Sequence, residues 1–150
     1  MTNAMSLPQH SVVVGVDGSP SARAALRWAV ANRREDQTVF AVSAWHVPAD
    51  GNRSGQISLD EDVRADQRQT FELTLAGALG ADWKAVVVPE LLYGNPGHIL
   101  GDLSAEAEAI VVGSHGHHAP LTGPLGSVSA YLVTHATCPV TVVPATDEEA

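Results

Sequence analysis

The chain has one cysteine and one lysine among its 150 residues, and few aromatics. A lone Cys138 cannot close an internal disulfide, so nothing here points to an oxidising, secretory compartment. Cations are scarce: Lys and Arg total 8 against 17 Asp and Glu, a formal net charge of -9. That balance disfavours a nucleic acid polymer or an anionic membrane as the main partner, because both are held by clustered positive charge. It leaves room for a single nucleotide, which a few local donors can bind. No apolar run approaches the roughly 20 residues of a membrane span. Residues 1–10 are polar, without the basic start and apolar stretch of a signal peptide. The expectation is a cytoplasmic protein, with a loose tail over residues 1–10 and another over 145–150.

What is present suits one domain, expected over residues 11–144. Hydrophobic residues make up 45% of the chain, enough to exclude disorder. A chain of this length buries about two-thirds of its unfolded surface and needs no metal or disulfide to fold. Residues 11–16 are a short apolar run ending at Asp17-Gly18-Ser19, as in a strand buried on both faces. Ser19-Pro20 reads as an N-cap with proline at the first helical position, and Ala22, Ala25, Leu26, Ala29 and Val30 follow at helical spacing. Residues 38–45 form a second strand, 46–59 a loop, and 60–79 a helix with Phe71, Leu75, Ala78 and Leu79 on one face. A third strand is expected over 84–92, on the run Ala85-Val86-Val87-Val88. Asn95-Pro96 repeats the cap-plus-proline signal, and Ile99, Leu100, Leu103 and Ala107 make the next helical stripe. Residues 109–113 are a fourth strand and 114–125 a loop. A last helix carries Val128, Tyr131, Leu132 and His135, and a last strand covers 140–143.

Strict alternation of strand and helix implies an α/β fold: a single-domain, open five-stranded parallel sheet with helices on both faces. Ligands of such sheets bind beyond the carboxyl ends of the strands, where the strand order reverses. After strand four stands Gly113-Ser114-His115-Gly116, and nine residues later Gly126-Ser127-Val128-Ser129. Glycine lets backbone amides approach a ligand. A helix begins at Gly126-Ser127, and its free amides and dipole attract anions. Ser127 and Ser129 add hydroxyl donors. The loop therefore looks built to wrap a phosphate chain; the competing reading is a turn with a serine N-cap. With Lys84 as the only lysine and no arginine after Arg68, phosphates would be neutralised by amides, hydroxyls and Mg²⁺, with His115 as an extra donor. No lysine stands in the glycine loop, so it is not a P-loop.

These residues resemble the universal stress proteins, specifically their ATP-binding branch. The branch carries G-x2-G-x9-G-[ST], matched here by Gly113, Gly116, Gly126 and Ser127 with the spacing intact. The strand-one element from Val14 to Pro20, Gly94-Asn95-Pro96 and the ending from Cys138 to Pro144 are also family-like. The resemblance implies a Rossmann-like sheet of the adenine nucleotide alpha-hydrolase kind, with strands one and four adjacent and Asp17 across from Gly113. It implies that Asp17 contacts the ribose or the metal-phosphate region, and that Gly15 and Val16 floor the nucleoside. The backbone of Ala44 would pair with the adenine edge, while Gly113 and His115 flank the ribose and phosphates. Gly116, Gly126, Ser127, Val128 and Ser129 would hold the phosphate chain. The family often has arginine where this chain has His115. It also commonly pairs its last strands across a two-fold axis, which implies a homodimer closed over residues 140–143.

Other residues have plainer readings. His115, His117 and His118 lack partners at metal-site spacing, so an exposed polar loop is expected, with His115 facing the nucleotide. Cys138 reads as a small buried hydrophobe. Trp28 and Trp83 are expected to pack against the sheet, and Trp45 to lie next to the adenine position. Arg23, Arg27 and Arg34 read as a solvated helix face, paired in part with Glu35 and Asp36. Gly113-Ser114-His115-Gly116 is not a G-x-S-x-G nucleophile elbow, and no carboxylate is placed to activate water at a γ-phosphate. The reading is an ATP-binding module for stress sensing or signalling. A slow ATP hydrolase, an AMP or cyclic AMP binder, and a non-binding dimeric scaffold are the alternatives. The protein partner is not legible.

Overall fold

The computed structural model describes residues 5–45, 56–116 and 125–145. Strands and helices alternate as β1 (Ser11–Gly15), α1 (Pro20–Asn32), β2 (Thr38–Trp45), α2 (Gln56–Leu79), β3 (Val88–Tyr93), α3 (Pro96–Leu103), β4 (Ala109–Gly113), α4 (Ser127–His135) and β5 (Val140–Val143). All neighbouring strands are parallel, in the order β3-β2-β1-β4-β5. The chain adds β2 and β3 on one side of β1, then returns to add β4 and β5 on the other. The order therefore reverses between β1 and β4, the adjacency that the family resemblance implied.

The period of two along each strand divides the core. Val12, Val14, Val39, Ala41 and Val111 face one way and meet Leu26, Ala29, Phe71 and Leu75 from α1 and α2. Val13, Phe40, Val42, Ile110 and Val112 face the other way and meet Ile99, Leu100, Leu103 and Leu132 from α3 and α4. Fully buried Leu26, Leu75, Ile110 and Leu132 each stabilise the fold by about 1.5–3 kcal/mol. Both N-cap signals hold: Ser19 Oγ accepts from the Ala22 amide at 3.2 Å, and Asn95 Oδ1 from the His98 amide at 3.1 Å.

Several expectations are corrected. β3 begins at Val88, not at 84, because Trp83–Ala85 winds into a 3₁₀ turn. Trp83, only 6% exposed, anchors that turn in the first core layer, and the Val86 and Val87 amides bond back to the Trp83 carbonyl. α2 starts at Gln56, so the end of the expected 46–59 loop is helical, while residues 46–55 lie outside the described residues. α3 stops at Leu103, before Ala107: Ser104 Oγ donates to the Gly101 carbonyl and accepts from the Thr137 amide. Trp28 is 41% exposed and does not pack against the sheet. In the expected N-terminal tail, Met5 and Leu7 pack against the second core layer, and the Leu7 amide bonds Glu106 at 3.0 Å.

The arginine face also differs from a simple solvated surface. Arg34 does pair with Asp36, at 3.1 Å, and with Glu108, at 3.0 Å. Arg23 instead donates to the Gly18 carbonyl at 2.8 Å. Arg27 reaches across to the end of α2 and donates to the Ala78 carbonyl at 3.0 Å. A helix end leaves carbonyls without intrahelical partners, and a guanidinium suits both their lone pairs and the negative end of the dipole.

Candidate functional site

The carboxyl ends of β1 and β4 open into a cavity of about 70 Å³. Its apolar wall comes from Val42, Ile99, Leu100 and Val112, and its polar side from Asp17, His115 and the start of α4. A second void of about 230 Å³ adjoins it on the α2 side and shares Val16, Asp17, Ala44 and Pro96. Each is smaller than the roughly 300–1,000 Å³ typical of small-molecule sites, and joined they approach that range.

The structure brings most of the expected site residues together. Gly15, Val16, Asp17, Ala44, Gly113, His115, Gly116, Val128 and Ser129 all line the first cavity. Gly126 and Ser127 do not; they form the junction behind it, where Gly126 is the N-cap of α4 and Ser127 its first residue. The competing reading of a serine N-cap is therefore not what the chain adopts. Gly126 is placed there by a close approach: a Cβ on it would lie 2.8 Å from the Gly116 nitrogen. Its own amide donates to the Ser114 carbonyl at 2.8 Å. Gly113 has a packing reason, since a Cβ there would stand 2.6 Å from the Ser21 backbone. The same absence of side chains that admits a ligand also lets α1 close on β4.

The first i→i−4 bond of α4 runs from the Ala130 amide to the Gly126 carbonyl. The amides of Ser127, Val128 and Ser129 precede it and form the electropositive end of the helix dipole. The Ser129 hydroxyl, expected as a phosphate donor, instead lies 3.1 Å from both the Ser114 and Gly126 carbonyls and ties the two glycine segments together. Ser19, Ala22 and Pro96 also line the cavity and were missed in the sequence, though the two helix-start signals marked their positions.

His115 has the most unusual environment. Its Nδ1 lies 2.9 Å from Ser114 Oγ, and Ser21 Oγ donates to its carbonyl at 2.7 Å. Its Nε2 is buried and has no hydrogen-bond partner among the described residues. Asp17 Oδ1 accepts from the Ser19 amide at 3.0 Å, fixing the carboxylate at the β1 turn. Its Oδ2 lies 3.2 Å from where a Gly116 Cβ would stand. Asp17 is the only carboxylate among the described residues lining either void. Trp45 lies off both voids, edge-on to Tyr93 with ring centroids 4.8 Å apart. Cys138 is half-buried, and desolvation pushes its thiol pKa up, away from the reactive thiolate. No group of three potential metal ligands occurs among the described residues; His117 and His118 lie outside them. No described helix is long and apolar enough to cross a membrane.

Comparison with known proteins agrees with this fold. Universal stress protein Rv2005c of Mycobacterium tuberculosis is 37% identical over 95% of this chain and 51% of its own length. Universal stress protein Rv1996 of the same organism is 30% identical over 89% of this chain and 47% of its own. The chain thus spans about half the length of the curated relatives it matches. Among solved structures, universal stress protein UspA from Lactobacillus plantarum superposes with a TM-score of 0.71 at 25% identity, covering 91% of this chain and 99% of that one. The hypothetical protein MJ0577 shares the fold, with a TM-score of 0.72 at 18% identity, over 91% of this chain and 96% of that one. The sequence pattern of the universal stress protein family matches residues 9–144, nearly the whole chain, and the chain belongs to that family.

Proposed function

We propose that this universal stress protein domain is of the ATP-binding kind, and that it holds ATP with Mg²⁺ at the reversal between β1 and β4. His115 Nε2 carries the reading. A buried polar atom without a partner costs about 1–3 kcal/mol, and a ligand oxygen or ribose hydroxyl in the cavity would remove that cost. The rest of the site fits the same ligand. Val42, Ile99, Leu100 and Val112 offer an apolar wall to a nucleoside. Gly113 and His115 flank the ribose and phosphates; the amides of Gly116, Ser127, Val128 and Ser129 hold the phosphate chain, and Gly126, its own amide bonded to the Ser114 carbonyl, lets the loop close behind them. Asp17, the carboxylate lining both voids among the described residues, would hold a hydrated Mg²⁺ beside the phosphates. The metal would supply positive charge that no described residue lining either void provides as lysine or arginine.

The proposal is of binding rather than turnover, with nucleotide occupancy setting loop order and partner choice in a stress response. The exposed edge of the sheet at β5 is its proposed homodimer contact. The test is calorimetric titration of purified protein with ATP, AMP and cyclic AMP, with and without Mg²⁺. ATP should bind most tightly, and removing Mg²⁺ should weaken it at least tenfold. No binding at millimolar ATP would end the reading in favour of a dimeric scaffold. Equal affinity with and without Mg²⁺ would remove the metal from it. Phosphate release well above that of a Gly116→Ala control would make the protein a slow hydrolase.

A further inference from the structure

The second void is walled by a helix that the glycine pattern does not include. Gln67, Thr70, Phe71 and Thr74 of α2 line it at i, i+3, i+4 and i+7, a single helical face turned toward the end of β1. Phe71, buried in the first core layer, gives this void a flat apolar wall, and Val16 and Ala44 give it a floor continuous with the first cavity. The polar groups on the wall differ in availability. The Thr74 hydroxyl donates to the Thr70 carbonyl at 3.0 Å. The Gln67 carboxamide, half-buried at the rim, bonds no described residue. It is the one group on that wall that offers a donor and an acceptor side by side.

Flat apolar walls with a carboxamide at the rim suit a heteroaromatic base. On the N7 side of the base a carboxamide pairs in two bonds with the amino group N6 and ring nitrogen N7 of adenine; guanine presents two acceptors there, O6 and N7, and satisfies only half of it. We infer that Gln67 is a specificity-determining residue, which reads the base of the bound nucleotide from the α2 side and selects adenine over guanine. The inference rests on the nucleotide-binding reading. Ala44 lines both voids, so one base can touch its backbone and Gln67 together, with the phosphates directed past Asp17 toward α4.

The experiment compares wild type with Gln67→Leu, titrating each with Mg²⁺-ATP and Mg²⁺-GTP. Leucine is similar in size and good in a helix, and the site is half-exposed, so the fold should survive, as a thermal melt will show. Wild type should prefer ATP by roughly tenfold or more, the worth of one two-bond pairing. Gln67→Leu should lose about that factor for ATP and little for GTP, so the preference collapses. An unchanged ATP-to-GTP ratio in Gln67→Leu would overturn the role of Gln67 and leave nucleotide binding intact. Wild type binding neither nucleotide at millimolar concentration would overturn both.

Discussion

Gly126 stands against Gly116 so closely that a Cβ on Gly126 would come within 2.8 Å of the Gly116 nitrogen and 3.1 Å of the His115 Cα. The two ends of the glycine-rich segment are thus packed backbone to backbone. Gly126→Ala must push them apart, and overpacking of this kind costs about 1–3 kcal/mol. The expected outcome is a lower urea midpoint together with at least tenfold weaker ATP binding. A variant with unchanged midpoint and affinity would show that the two segments separate freely.

Arg27 joins α1 to the end of α2 through the Ala78 and Gly77 carbonyls, at 3.0 and 3.5 Å. Arg27→Ala should lower stability by about 1 kcal/mol, the worth of a cation at a helix C-terminus. Amide hydrogen exchange should rise first in the last turn of α2. Arg27→Lys, which keeps the charge but not the planar fork, should recover part of the loss. Exchange that rises evenly along the chain would show that the contact is not specific to that turn.

Glu108 makes stability depend on pH at the far end of the sheet. Hydrogen bonds from Gln37, His10 and Arg34 hold its carboxyl down, from 4.5 to about 2. The folded value lies below the unfolded one. The contribution is therefore complete above about pH 4.5, fades as pH falls toward 2, and is gone below that. Glu108→Gln should be less stable than wild type at pH 7 and should show a shallower loss between pH 5 and 2. Denaturant midpoints across that range check it; parallel curves for the two proteins would refute the assignment.

β5 ends the sheet with one side unpaired among the described residues. The Ile110 amide bonds the Pro139 carbonyl at 3.0 Å, and the Ser114 amide the Val143 carbonyl at 2.9 Å. By the alternation of a strand, the amides and carbonyls of Val140 and Val142 face outward. Val142→Pro removes an outward donor while sparing the bonds to β4. Sedimentation should show a dimer for wild type and a monomer for this variant, with similar circular dichroism. A dimer that persists in Val142→Pro would place the contact elsewhere.

The sequence by itself determined the features encoded within a few residues of one another. Alternating apolar runs and helical stripes specified a parallel α/β sheet, since each period reports how a segment is buried. Ser19-Pro20 and Asn95-Pro96 specified two helix starts, because a capping oxygen and its amide are three residues apart. The spacing of Gly113, Gly116, Gly126 and Ser127 specified where a glycine-rich site would form. Tertiary structure alone decided what depends on groups distant along the chain. Burial of Trp83 under α1 and α2 turned an apolar run into a 3₁₀ turn before β3. The end of α2 gave Arg27 its partner, 51 residues away. The Ser114 carbonyl drew in the Ser129 hydroxyl, and tertiary packing buried His115 Nε2 without a partner among the described residues. A hydrogen bond or a buried surface has no sequence signature when its two halves come from different elements, and those contacts are the ones that shape this site.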